Sequence, residues 1–132
     1  MIGIDTNVLV RLFVDDDRRQ HQLAVRFFDK RSASDAAFIS TVTIVEFFWV
    51  MTRTYKRTSQ AVLDLLAGML ESEDAVFEGS DEVRQTIAIA QESGADLADL
   101  LIARSGEIAG CRTTVTFDQP AARSVPGMEL LK

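Results

Sequence analysis

Apolar positions along the chain alternate between two rhythms. Met1-Ile2-Gly3-Ile4 is a short run apolar to both sides, as a buried strand would be. Thr6 to Val14 (TNVLVRLFV) changes to helical spacing and is broken by Asp15-Asp16-Asp17. Gln20 to Arg31 places Leu23, Phe27 and Phe28 on one side, which predicts an amphipathic helix. Ala36 to Ser40 reads as a second strand, followed by a strongly apolar helix from Thr41 to about Tyr55. Ser59 to Glu71 carries Val62, Leu63, Leu66 and Leu70 at helical spacing.

The second half repeats the alternation. Ala75-Val76-Phe77 predicts a strand, and Ser80-Asp81-Glu82 opens a helix with acids where the helix dipole favours them. Gly94 and Gly110 are plausible stops for helices ending beside them, the second running from Leu97 to Ala109. Thr113 to Thr116 and Met128 to Leu131 are the last predicted strands. Strands alternating with helices predict one α/β domain over residues 1–132, with a mainly parallel sheet covered by helices.

Composition narrows the function. The 132 residues are 47% hydrophobic, which suffices for a core and excludes a dominantly disordered chain. Fourteen Lys and Arg against 20 Asp and Glu give a formal charge of −6, so coating nucleic acid by bulk charge is disfavoured. Cys111 is the only cysteine and His21 the only histidine, so an internal disulfide and a Cys/His metal cluster are both excluded. No basic leader precedes an apolar run at the N-terminus. The longest apolar stretch, Thr43 to Met51, is interrupted by Glu46 and far shorter than the ~20 residues of a bilayer span. A cytoplasmic location is the expectation.

The acids fall at informative places. Asp5 follows the first strand, where open α/β sheets bind their ligands, and it is equally a good helix N-cap. Glu46 lies among apolar neighbours on every helical face, and a buried carboxylate needs a cation, a polar cavity or a metal. Asp96 and Asp99 are three apart at a helix start, so Asp96 suits the cap and Asp99 carries both a structural and a functional reading. Asp118 follows the strand Thr114 to Thr116 and reads alternatively as a turn residue before Gln119-Pro120.

Were Asp5, Glu46, Asp99 and Asp118 to converge, each pair ~4 Å apart would repel by about 4 kcal/mol at an effective dielectric near 20. A divalent cation removes that conflict, and oxygen-only ligands suit Mg²⁺ or Mn²⁺ rather than zinc. Such a centre activates water for phosphodiester hydrolysis without a covalent nucleophile.

Ile4-Asp5-Thr6-Asn7, Glu46, the segment Ala95-Asp96-Leu97-Ala98-Asp99-Leu100-Leu101-Ile102-Ala103 and Thr116-Phe117-Asp118 together resemble the PIN domain. More narrowly they resemble VapC-type toxins of bacterial type II toxin–antitoxin pairs, in order and in length. The resemblance implies a three-layer α/β/α sandwich and an Mg²⁺- or Mn²⁺-dependent endoribonuclease. It maps the four acidic positions onto Asp5, Glu46, Asp99 and Asp118 as metal-binding and catalytic residues. Thr6 and Asn7 match polar positions beside the first acid, and Asp96 is an additional acid nearby. The partners it implies are an RNA substrate, a VapB-type antitoxin and a second copy of the chain.

An α-helix running on from Glu46 would align Val50, Arg53 and Arg57 with it, so Arg53 and Arg57, with Lys56 beside them, are candidates to track an RNA backbone. Solvated cations near a helix C-terminus are the plain alternative. Phe13, Phe47, Phe48 and Trp49 supply more large apolar surface than one small core needs, which leaves some of it for a partner. Two rival functions remain open. An aspartyl-phosphate enzyme also places Asp after its first strand, but a common version needs a second Asp where Asn7 stands. A non-catalytic interaction module would use the acids only as caps and in salt bridges.

Overall fold

Six helices of this chain begin on a side chain that accepts a hydrogen bond from a backbone N–H of the first turn: Asp5, Asp17, Ser40, Thr58, Asp96 and Asp118. Such caps satisfy the orphan donors of a helix start, and they fix where each strand gives way to a helix. The structure, a computed structural model, describes all residues from Met1 to Lys132. It divides into two units, Met1–Ser80 and Asp81–Lys132.

The first unit runs β1 (Ile2–Gly3), α1 (Thr6–Phe13), α2 (Arg18–Asp29), β2 (Ala37–Ile39), α3 (Thr41–Trp49), a π-helical turn (Val50–Thr54), α4 (Ser59–Leu70) and β3 (Ala75–Phe77). Its three strands form a parallel sheet in the order β1-β2-β3, with Ile2 opposite Ala37 and Ile39 opposite Phe77. Leu9, Ile39, Ile44, Phe47, Met51, Val62 and Leu66 are its fully buried large side chains, and the Phe13 and Phe47 rings meet at 5.9 Å.

The second unit contains α5 (Ser80–Ser93, whose first residue closes the preceding unit), α6 (Leu97–Ile108), β4 (Thr114–Thr116), α7 (Gln119–Ser124) and β5 (Met128–Leu130). β4 and β5 are parallel, with α7 as the crossover between them. Val83, Ile87, Leu97, Leu100, Ala121 and Val125 are buried. Gly94 and Gly110 follow α5 and α6 with φ of 72° and 91°, the left-handed geometry glycine adopts without steric cost. Every strand pair is parallel, and each unit is mixed α/β.

The amphipathic helix expected from Gln20 to Arg31 does form, as α2, with Phe27 packed edge-on against Phe28 at a centroid distance of 5.4 Å. Two expectations need correction. β1 is not buried: Met1 and Ile2 are exposed, because β1 is the edge of its sheet. The helix predicted from Thr41 to Tyr55 leaves α-helical register at Trp49, and a wider π turn succeeds it. One element escaped prediction altogether. α7 starts on Asp118 with Pro120 in its first turn, a cap-then-proline signature that also fits a plain turn.

Candidate active site

β1 hands over to α1 through Ile4, whose N–H donates to Phe38 O at 3.1 Å. Asp5 is therefore held in extended conformation at the carboxyl end of a parallel strand, and its Oδ1 accepts from Thr6 N–H at 2.7 Å. The same threonine bonds in a second direction: the buried Thr6 donates its Oγ1 hydrogen to Glu46 Oε2 at 3.2 Å. Thr6 thus holds two carboxylates at once, one through its backbone and one through its side chain. α3 reaches this point because Ser40, directly after β2, caps it through Thr43 N–H.

Glu46 is exposed rather than enclosed. α3 buries Thr43, Ile44, Phe47 and Phe48, and its opposite stripe of Val42, Glu46 and Trp49 faces outward. Of its apolar neighbours in the chain, Trp49 shares that surface with it, whereas Ile44, Phe47 and Phe48 are buried on the other side. Solvent and the Thr6 hydroxyl together satisfy the carboxylate, so burial does not force a partner on it.

Beside Asp5 and Asn7 opens a cleft of about 400 Å³ between α1 and α2, lined further by Arg11, Gln20, Leu23 and Phe27. Arg11 is fixed there by Gln20 Oε1 at 2.9 Å, by Asp16 and by Tyr55 Oη at 3.0 Å, contacts that hold its guanidinium above its ordinary pKa, the Tyr55 bond foremost. No sequence signal pointed to Arg11 or Gln20, since the cleft exists only once α2 folds back along α1.

In the second unit Asp96 caps α6 by accepting from Asp99 N–H at 3.0 Å. Asp99 is half-buried in the first turn, and its carboxyl is pushed above the ordinary range by burial, then by Asp96, then by Asp118. Asp118 follows β4, donates its own N–H to Thr116 Oγ1 at 3.0 Å and accepts from Ala121 N–H at 2.9 Å as the cap of α7. The structure accordingly groups Asp5 with Glu46 in one unit, and Asp99 with Asp96 and Asp118 in the other. Within neither unit do three such side chains form a group able to hold a metal ion.

A profile of the PIN domain matches residues 2–124. The chain belongs to the PIN domain family. Among curated proteins none matches the sequence. PIN domains are typically nucleases that use divalent metal ions, and the family points this one toward RNA. Each of these acids offers oxygen only, the donor a hard divalent ion takes, and Asp99 is crowded by like charge. No helix is long and apolar enough to cross a membrane.

The cations expected to continue the Glu46 face are placed differently. Arg53 lies in the π turn, Lys56 has a left-handed φ of 56°, and Arg57 stands beyond the helix with its N–H on Met51 O at 3.0 Å. The α-helical spacing that would align Arg57 with Glu46 ends before reaching it. Of the four aromatic residues with surplus apolar surface, Phe47 and Phe48 are buried, Phe13 is half-buried and Trp49 is exposed.

Proposed function

We propose that this PIN domain is a metal-dependent endoribonuclease acting as the toxin of a toxin–antitoxin pair. The observation that carries it is Thr6 joining Asp5, at the carboxyl end of β1, to Glu46 on the helix that follows the neighbouring parallel strand; carboxyl ends of strands are where α/β enzymes place their chemistry. Asp5, Glu46, Asp99 and Asp118 are the residues that would hold Mg²⁺ or Mn²⁺. A divalent ion held there would neutralise the carboxylates and supply an activated water for phosphodiester hydrolysis. Thr6 holds Glu46 through Oε2, which leaves Oε1 as the oxygen available to a ligand. Asp99, crowded by Asp96 and Asp118, would be relieved by such a cation. Asn7 is an auxiliary polar residue beside Asp5, and the exposed Arg53, Lys56 and Arg57 are assigned to holding the RNA strand.

The cleft beside Asp5, with Leu23, Ala24 and Phe27 in its wall, suits an apolar anchor from a small VapB-type antitoxin that would silence the site. A homodimer and a cytoplasmic location belong to the same reading. A second reading has its own support: Asp5, Asp96 and Asp118 all cap helices, so a non-catalytic module could need them for folding alone.

Incubation with labelled structured and single-stranded RNAs plus Mn²⁺ tests the proposal. Cleavage by the wild type that is lost on chelation and in Asp99→Asn supports it. Intact RNA at millimolar Mn²⁺, with an unchanged melting temperature, selects the module.

A further inference from the structure

Trp49 is the only tryptophan of the chain, and 58% of it is exposed although it ends the most apolar helix of the first unit. It stands three residues after Glu46 on the outward stripe of α3, about 4.5 Å farther along the axis. Its backbone carbonyl accepts from Thr52 Oγ1 at 3.3 Å, in the turn where the helix widens.

The charge of the neighbouring segment decides the use of that ring. From Phe47 to Leu63 this acidic chain contains no Asp or Glu, while Arg53, Lys56 and Arg57 fall within eight residues of Trp49. All three cations are exposed and stand outside the ion pairs of Arg11, Arg18, Arg31 and Arg104. Lys56 is moreover the only non-glycine residue with positive φ. Glycine or asparagine would sit there at less cost than lysine does. Tyr55 ties the segment down, its hydroxyl donating to Asp16 Oδ2 at 2.8 Å and accepting from Arg11.

An exposed aromatic ring followed within a few residues by exposed, unpaired cations is a pattern that suits single strands, the ring stacking on a base and the cations tracking phosphates. We infer that Trp49 is a stacking platform for one base of single-stranded RNA, with Arg53, Lys56 and Arg57 leading the backbone away from Glu46. The inference rests on the ribonuclease reading for its choice of ligand. A second copy of the chain seated on Val42 and Trp49 is the alternative occupant, but the adjoining cations would repel their own copies across a two-fold axis.

The sole tryptophan makes the test direct. The full chain is titrated in EDTA with an unstructured oligoribonucleotide, following tryptophan emission and, with labelled RNA, anisotropy. Quenching that saturates with binding is expected. Trp49→Ala should weaken binding by roughly 5- to 150-fold, the range for loss of one stacked base, while Trp49→Phe retains most of the affinity. Arg57→Ala should instead weaken binding evenly over sequences and reduce the salt slope by about 0.7. Emission unchanged at saturating RNA, or Trp49→Ala within twofold of wild type, overturns the inference. So does a Trp49→Ala variant that changes only the oligomeric state on a sizing column. Because binding is read without metal, failure here is separable from failure of the nuclease: RNA cut with Trp49 silent sinks the platform alone, and RNA stacked but never cut sinks the nuclease alone.

Discussion

Thr6 and Glu46 are joined by a 3.2 Å hydrogen bond between side chains 40 residues apart, and the same threonine donates its backbone N–H to Asp5. One small buried residue thereby fixes the relation between the acid after β1 and the acid on α3. Its removal can be made almost isosteric. Thr6→Val keeps the β-branched shape and deletes only the donor, so the expected loss of stability is about 1 kcal/mol in urea unfolding. Loss of RNA cleavage should be far greater than that figure implies, since Glu46 loses the contact that orients it. Thr6→Ser should restore both. A Thr6→Val protein with wild-type cleavage would remove Glu46 positioning from the mechanism.

Asp99 yields a prediction whose sign follows from its crowding. Burial and the neighbouring Asp96 and Asp118 raise its carboxyl above the ordinary range, so the folded state prefers the protonated form. Its favourable contribution is complete below the unfolded-state value and is lost as pH rises through the raised, folded-state value. At neutral pH, without divalent metal, the ionised group therefore works against folding. Asp99→Asn should melt higher than wild type at pH 7 in EDTA, and the gap should close near pH 3. A gap that is the same at both pH values would show that the change acts through packing.

Divalent metal should reverse that order. If Asp5 and Asp99 hold Mn²⁺, the wild type gains stability with its concentration, by about 2.7 kcal/mol at a hundred times the dissociation constant. Asp5→Asn and Asp99→Asn should each abolish most of the shift, and the double variant should lose little more than either single one, as expected of residues that act as a unit. Independent, additive losses would mean that the two units serve separate purposes.

The sequence-level reading and the structure agree most closely where one local rule decides the outcome. Ala75 to Phe77 forms a strand with the predicted bounds, and Gly94 and Gly110 end their helices because both need positive φ. The α/β class follows from the alternation of such segments. The capping role of Asp96 was legible for the same reason, since an Asp three residues before another acid at a helix start has few other uses. Exposure was not legible. Val42 and Trp49 raise the hydrophobicity around Glu46 without being buried, so the pattern suggested an enclosed acid where the fold has an outward stripe. The Thr6–Glu46 bond and the Arg11–Gln20 contact depend on how helices fold back on one another, and no periodicity encodes that. The π turn after Trp49 was hidden as well, because Val50 to Thr54 continues a helical pattern and only the wider ring displaces Arg53 and Arg57.

Lys56 separates stability from binding more sharply than any other residue of the first unit. Its φ of 56° places a β-carbon against the following carbonyl, a conformation costing a non-glycine residue roughly 1 kcal/mol or more. Lys56→Gly removes that strain, offset in part by the greater freedom glycine has in the unfolded chain. The net expectation is a protein more stable by up to about 1 kcal/mol. RNA binding should move the other way: one cation fewer near the strand lowers affinity at low salt and reduces the dependence of log K on log salt by about 0.7. Lys56→Asn, which tolerates the left-handed region and lacks the charge, should behave as Lys56→Gly does toward RNA. Opposite signs in melting and in RNA titration identify a strained position kept for its charge. A glycine variant that melts higher and binds RNA as wild type does would leave Lys56 as strain without function.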